Sequence, residues 1–303
     1  LRKGRNNKDL VNELLNKNNG ISIKAKVKAL QQFVNNNEED INTLNYILEN
    51  RKYLLYTYID SNNSYNLYSY IVINQFEDLA EKYFDKVPCE NMSKRILYNS
   101  MFNFSFFTRM VEKIKIKLKC KENFWDFINY PFKKENEKDG IIKGTDTDDE
   151  SCMSRACNEG PEFVDILLKN GGNPNFMVKY NEYRASISFI TSLIDDFLRY
   201  NNNNMLDSIK KLINNDYNKA DLGYINNKYL RTPLSTIGEF KKENPTDEEV
   251  NDLIKYINDN ANEIKYTLVK DSVIEEKLKL ETTESIDYFS RGYCNDIIYY
   301  TDF

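Results

Sequence analysis

The sequence predicts an all-α fold. Apolar residues recur mainly at three- and four-residue spacing, which is the period of a helix that buries one face. Glycine and proline are scarce, with 10 and 6 among 303 residues, whereas an all-β sandwich needs many tight turns. Hydrophobic residues account for 41% of the chain and aromatic residues for 13%, which is enough for a packed core. Short amphipathic helices separated by asparagine-rich turns are therefore the expected structural unit.

Region 1–132 is predicted to be a series of such helices. Asparagines 35–37 separate the second apolar stripe from the third, which opens on the acidic run 38–40 that suits a helix N-terminus. Pro88 ends the series, because proline cannot continue a helix. The stripes cover residues 10–15, 27–34, 41–48, 54–59, 65–73 and 76–84.

Residues 107–121 are open to two interpretations. Lysines at every second position from Lys113 to Lys121 alternate with apolar residues, which alone would indicate a basic edge strand. A helical stripe also fits this segment, and only Ile116 falls off it, so a long helix with a lysine-rich outer face is favoured. The stripe consists of Phe107, Met110, Val111, Ile114 and Leu118.

The segment 133–149 is predicted to be a linker or a long loop. It is strongly charged and contains two glycines. The clearest motif of the chain follows it.

Residues 151–160 read SCMSRACNEG, and residues 161–175 read PEFVDILLKNGGNPN. Ala156 is small enough for two helices to approach closely, and Gly160 allows the chain to reverse between them. Gly171 can adopt the left-handed conformation that follows a helix. The segment resembles an ankyrin repeat, in which a T-P-L-H helix start, a second helix with paired leucines and a glycine-rich connection recur.

Two further repeat starts are predicted. Ile187 stands 34 residues after Met153, and a Thr-Pro-Leu triplet at 232–234 marks the third start after a step of 47 residues. Ser154, Ser188 and Ser235 then stand where the family has histidine. The resemblance implies an α-solenoid of stacked helix pairs over residues 150–266. It also implies more divergent, eroded helix pairs in 1–132 and a C-terminal cap or tail in 267–303.

Catalytic, cofactor and metal sites are not expected. The chain has no histidine, which removes Ser–His and Cys–His nucleophile pairs and imidazole ligands. Phosphate-loop, dinucleotide and nucleophile-elbow motifs are absent from the sequence. Asp146, Asp148 and Glu150 resemble the start of a calcium loop, but Ser151 and Cys157 stand where it requires glycine and glutamate. The adjacent carboxylates 195–196 and 248–249 point about 100° apart on a helix and form no acid–base pair by themselves.

The composition also restricts partners and compartment. A net charge of −5, from 47 acidic and 42 basic residues, argues against a dedicated nucleic-acid binder. No apolar run approaches the roughly 18 residues of a membrane helix, so no membrane insertion is expected. The five cysteines lack a framework spacing and indicate reduced thiols in a cytoplasmic or nuclear protein. The chain opens with Leu1 rather than methionine, which leaves open that it is a segment of a longer one.

The resemblance implies a non-enzymatic module that binds a protein partner through exposed loops and inner helices. An ordinary solvated surface is the competing interpretation for each candidate residue. Two other functions stay open: a structural or regulatory segment of a larger assembly or longer chain, and a hydrolase whose carboxylates meet only on folding. The sequence leaves the oligomeric state and the partner's identity open. The candidate partner-binding residues are Arg155, Asn173, Asn175, Lys179, Tyr180, Tyr224, Asn227, Lys228 and Tyr229.

Overall fold

The described part of the chain is mostly helical, as predicted, and its strands are short. The chain divides into two compact units, residues 1–131 and 132–303. The fold is seen in a computed structural model, which describes residues 16, 20, 22–23, 25–28, 38–57, 66–118, 124–138, 140–142, 150–180, 185–226, 232–243, 248–260 and 267–269. The predicted helix at 10–15, most of the one at 27–34 and nearly all of the predicted tail lie outside the described residues.

In the first unit, helices follow the predicted apolar stripes 41–48, 65–73 and 76–84. Where the stripe 54–59 predicts a helix, a 3₁₀ turn at Lys52–Tyr56 buries Leu54 and Leu55. Further 3₁₀ turns lie at Phe84–Lys86 and Cys89–Asn91, on either side of Pro88. The helices are α1 (Glu38–Asn50), α2 (Leu67–Ile73), α3 (Glu77–Tyr83), α4 (Ile96–Ser100), α5 (Phe104–Leu118) and α6 (Trp125–Ile128).

Helix α5 confirms the helical interpretation of the lysine-rich segment. All five residues of the predicted stripe are at most 2% exposed, whereas Ile116 is 62% exposed. A strand would have placed Ile114 and Ile116 on the same face. The burial of Ile114 and the exposure of Ile116 therefore follow the period of a helix.

Basic side chains of α5 contact neighbouring segments of the first unit. Arg109 binds both Glu77 and Glu81 of α3, with N–O distances of 3.0 and 2.7 Å. The Lys117 ammonium group donates to the carbonyl oxygen of Phe84 at 2.7 Å, and its partial burial lowers the Lys117 pKa. The basic face is thus partly used for packing within the unit.

The second unit contains six short strands and six helices among its described residues. A 3₁₀ turn at Lys134–Asn136 precedes them. The strands are β1 (Glu137–Lys138), β2 (Ile141–Ile142), β3 (Met177–Tyr180), β4 (Ala185–Ser188), β5 (Tyr224–Asn226) and β6 (Thr267–Val269). The helices are α7 (Cys152–Glu159), α8 (Pro161–Lys169), α9 (Phe189–Tyr200), α10 (Asn203–Ile213), α11 (Pro233–Glu243) and α12 (Glu248–Asn260).

The strands form three separate two-stranded pairs. β1 and β2 are antiparallel, as are β3 and β4, where Met177 opposes Ser188 and Tyr180 opposes Ala185. β5 and β6 are parallel. The β1–β2 hairpin falls inside the predicted linker, and its two isoleucines at 141–142 are buried. The Ile142 N–H donates to the carbonyl oxygen of Asn175 at 2.8 Å, so this part of the segment is packed against the connection after α8.

The helices of the second unit pack as consecutive pairs. α7 and α8 contact each other and both contact α10, while α9 contacts α10 and α11. α12 contacts α10 and α11. The helix faces at these contacts are apolar, and their buried residues include Val164, Leu167, Ile209, Leu212 and Leu253. Burial of these side chains supplies the main favourable term for the unit.

We expect Ile114→Ala to destabilise the first unit by about 2–5 kcal/mol, because it removes a fully buried side chain from α5. Ile116→Ala is the matched control and should change the free energy of unfolding by no more than about 0.5 kcal/mol. Urea denaturation of both variants measures the difference. Equal losses would contradict the helical placement of these two residues.

Candidate interaction surface

Three helices of the second unit begin in the same way. A serine or threonine stands at the N-cap of α7, α9 and α11, and its side-chain oxygen accepts the backbone N–H three residues later, at 2.9, 3.4 and 3.1 Å. The residue three positions later is also a serine or threonine, and in α7 and α9 the two hydroxyl groups bond each other at 2.8 and 2.7 Å. Each cap contributes about 1 kcal/mol. The pairs are Ser151 with Ser154, Ser188 with Thr191, and Thr232 with Ser235.

These caps correct the predicted start of the second repeat. Ile187 was expected to match Met153, with Ser188 in the fourth position of the motif. Ile187 instead lies in β4, and Ser188 is the N-cap of α9, so Ile190 is the counterpart of Met153. The steps between N-caps are 37 residues from Ser151 to Ser188 and 44 residues from there to Thr232. The hydroxyl group that satisfies the first free N–H groups sets the start of the helix.

The connections that follow α8 and α10 both contain a turn closed by a side chain. The carboxamide oxygen of Asn173 accepts the Asn175 N–H at 2.9 Å, and the Asp221 carboxylate accepts the Gly223 N–H at 2.7 Å. This local bond is the usual asparagine or aspartate turn. The connections after α8 and α10 thus both contain a turn of this type.

Asn173 and Asn175 link each connection to the next. The amide of Asn173, which is 3% exposed, donates to the Glu137 carboxylate at 2.8 Å and to the Gly140 carbonyl oxygen at 3.0 Å. The Asn175 side chain donates to the Lys219 carbonyl oxygen at 3.1 Å and accepts the Asp221 N–H at 2.8 Å. Both candidate binding residues therefore have structural bonds within the chain, which leaves less of their amides for a partner.

The other candidate residues lie in several places. Lys179 and Tyr180 lie in β3 and Tyr224 in β5, where the backbone is described and the side chains are not. Residues 227–229, which include the candidates Asn227, Lys228 and Tyr229, lie outside the described residues. Arg155 is on α7, 29% exposed, and forms an ion pair with Glu159 at 3.2 Å.

Helices α7 and α9 carry polar residues at matching distances from their N-caps. Arg155 and Ser192 stand four residues after the cap, and Glu159 and Asp196 stand eight residues after it. Residues with three- and four-residue spacing share one side of a helix. We call this set the inner-helix face: Arg155, Asn158, Glu159, Ser192, Asp195, Asp196 and Arg199, all of them partly or fully exposed.

Asp196 is the one charge of the inner-helix face for which the described residues provide no ion-pair partner. Arg199 binds Asp195 at 2.9 Å, and among the described residues Asp196 makes no hydrogen bond or ion pair. Partial burial raises the Asp196 pKa above its ordinary value of 3.8, and the negative charge of Asp195 raises it further, against the opposing effect of Arg199. The sequence indicated that the carboxylates 195–196 form no acid–base pair by themselves, and it carried no sign of this burial.

The described cysteines are free thiols. Cys152 and Cys157 are buried in α7 and Cys89 is half-buried, while Cys120 and Cys294 lie outside the described residues. Burial raises the pKa of the Cys157 thiol. Its reactive thiolate form is therefore disfavoured at neutral pH.

In the described part of the chain, no group of three or more Cys, Asp or Glu side chains could hold a metal ion. Among the described helices, none combines the length and the apolar character that crossing a membrane requires. Comparisons with protein-family models, curated proteins and solved structures found no match. The geometry of the inner-helix face and the connections therefore carries the functional proposal.

We expect Asn175→Ala to lower the free energy of unfolding by about 1–3 kcal/mol, because it removes two bonds worth about 0.5–1.5 kcal/mol each. Asn158→Ala, at an exposed site in α7, is the matched control and should have an effect within about 0.5 kcal/mol. Urea denaturation followed by circular dichroism measures both. A neutral Asn175→Ala would mean that the link between connections does not stabilise the fold.

Asp196→Asn should stabilise the protein at neutral pH and not in acid. A raised pKa means that the folded state binds the proton more tightly than the unfolded state, so ionisation costs stability as the pH rises above 3.8. The cost is complete above the raised pKa, and the asparagine variant avoids it. Thermal unfolding across this pH range measures the effect. Asp207→Asn is the control, since it makes the same change at an exposed position of α10 and should not stabilise.

Proposed function

We propose that residues 150–266 form an ankyrin-like stack of helix pairs that acts as a non-enzymatic protein-interaction module. The repeated hydroxyl N-caps of α7, α9 and α11 are the observation that carries this proposal. They recur at the positions where the resembled family has its helix start, and the turns at Asn173 and Asp221 recur at its connections. Three helices that begin alike and two connections that turn alike support repetition of one structural unit.

The contacts between the helices support the same arrangement. Each helix pair of the second unit contacts the next, and Asn175 bonds the connection after α8 to the connection after α10. In a stack of repeats, each unit covers the apolar face of its neighbour, and one side of the array presents successive inner helices and connections. That side is the surface on which such modules bind proteins.

The inner-helix face is the part of this surface that we assign to the partner. Among the described residues, most of its charges are paired internally, Arg155 with Glu159 and Arg199 with Asp195, whereas Asp196 has no such partner there. We assign the Asp196 carboxylate to a cation of the partner. A half-buried carboxylate that costs stability is a feature that function can retain. The partner would therefore place a lysine or arginine side chain against Asp196.

The connections complete the proposed surface. Lys179, Tyr180, Tyr224 and residues 227–229 stay candidates for direct contact, since tyrosine offers large, rigid contact area. Asn173 and Asn175 have a different role in the proposal. They hold the connections in register, so their effect on binding would be indirect.

Charge reversal at Asp196 tests the proposal. The full chain is used as bait for affinity capture, and captured proteins are identified by mass spectrometry and then measured for binding as purified partners. We expect Asp196→Arg to weaken binding roughly tenfold or more, because it replaces an attraction by a repulsion.

Asp207→Arg provides the matched control for this experiment. It makes the same change at an exposed position of α10, outside the inner-helix face, and should leave the affinity unchanged. A partner that binds both variants as well as the original chain, or neither, would contradict the assignment of the surface. Circular dichroism of both variants excludes unfolding as the cause.

A further inference from the structure

The end of helix α8 holds an Asn-Gly pair in a closed turn. The Asn170 side-chain amide donates to the Ile166 carbonyl oxygen at 2.9 Å, and the Gly171 N–H donates to the Leu168 carbonyl oxygen at 3.1 Å. Gly171 has a φ of 92°, which favours glycine, and Gly172 N–H then donates to Leu167 at 2.8 Å. This sequence of bonds closes the helix C-terminus.

The same two residues are chemically suited to deamidation. The backbone nitrogen of Gly171 can attack the side-chain carbonyl carbon of Asn170, so that a C–N bond forms and ammonia leaves with the former amide nitrogen. Water then opens the cyclic imide at one of its two carbonyl carbons and yields aspartate or isoaspartate. No oxidant or further reactant is consumed. Glycine favours the attack because it has no side chain to obstruct it.

The closed turn holds both reacting groups away from this reaction. The attacking Gly171 nitrogen is engaged with Leu168, and the Asn170 amide that must turn toward it is engaged with Ile166. Ring closure requires both bonds to break, which requires the last turn of α8 to open. Local opening of a helix end is a separate equilibrium with its own free energy.

We propose that Asn170 is a conformationally gated deamidation site, which reacts when the last turn of α8 opens. The product prevents the turn from closing again. An aspartate at 170 places a carboxylate beside the Ile166 carbonyl oxygen, at the negative end of the helix dipole, where it repels. An isoaspartate adds a methylene group to the main chain and shifts the residues that follow it.

The consequence extends to the connection after α8. Gly172 lies in a close approach, since a Cβ there would stand 2.9 Å from the Leu167 carbonyl oxygen. Asn173, the next residue, holds the bonds to Glu137 and Gly140. A shifted main chain at 170 would displace both residues. A transient opening of the turn would then lead to a permanent loss of the Asn173 bonds to Glu137 and Gly140.

Peptide mapping by mass spectrometry tests whether opening of the last turn of α8 controls the deamidation of Asn170. The full chain is incubated at mildly alkaline pH, once in native buffer and once in concentrated urea, and deamidated peptide containing residue 170 is measured over time. We expect the native rate to be lower by roughly tenfold or more, where each factor of ten corresponds to about 1.4 kcal/mol of opening free energy. Equal rates in the two conditions, or no reaction in urea, would overturn the proposal.

Gly172→Ala locates the gate in the last turn of α8. The added Cβ meets the Leu167 carbonyl oxygen, so the turn should open more often and the native rate at Asn170 should rise toward the rate in urea. The rate in urea should equal that of the original chain, since the Asn-Gly pair is unchanged. Lys169→Ala, an exposed change in the same turn, is the control and should leave the native rate unchanged. A folded Gly172→Ala chain that reacts no faster would place the gate elsewhere and overturn the proposal.

Discussion

The side chain of Asn175 bonds a segment 44 to 46 residues away, and the connections of the second unit depend on this kind of bond. One amide satisfies the carbonyl oxygen of Lys219 and the N–H of Asp221, while Asn173 acts in the opposite direction toward Glu137 and Gly140. Backbone polar groups that lose water must find a partner. Connections with only short strands cannot supply enough of these partners themselves, so asparagine side chains provide them.

Local sequence information is sufficient to predict most of the described helices. In α5 a single residue, Ile116, distinguished a helical stripe from an alternating one, and the burial of Ile114 follows that distinction. The helix class, the glycine at 171 and the Thr-Pro start of α11 are likewise encoded within one or two turns of chain. Periodicity and capping are short-range effects, so a single sequence contains them.

The candidate site depends on long-range packing and could be predicted only in part. Ser188 could stand at the cap or at the fourth position of the motif, and only its bond to Thr191 decides between them. The resemblance to the ankyrin family implied that Asn173 and Asn175 lie on an exposed connection, whereas their bonds join segments distant in sequence. The partial burial of Asp196 raises its pKa, and no local sequence pattern indicates that burial.

The parallel pairing of β5 and β6 affects the order in which the elements of the second unit assemble. Tyr224 opposes Thr267, and the chain between them contains both α11 and α12. Parallel strands require such a crossover, and the ends can meet only once the intervening helices are compact. Closure of this long loop carries an entropic cost that local helix formation does not. Strand β6 would therefore join late in folding, and among the described elements it would be the first to detach when the chain is pulled from its C-terminal side.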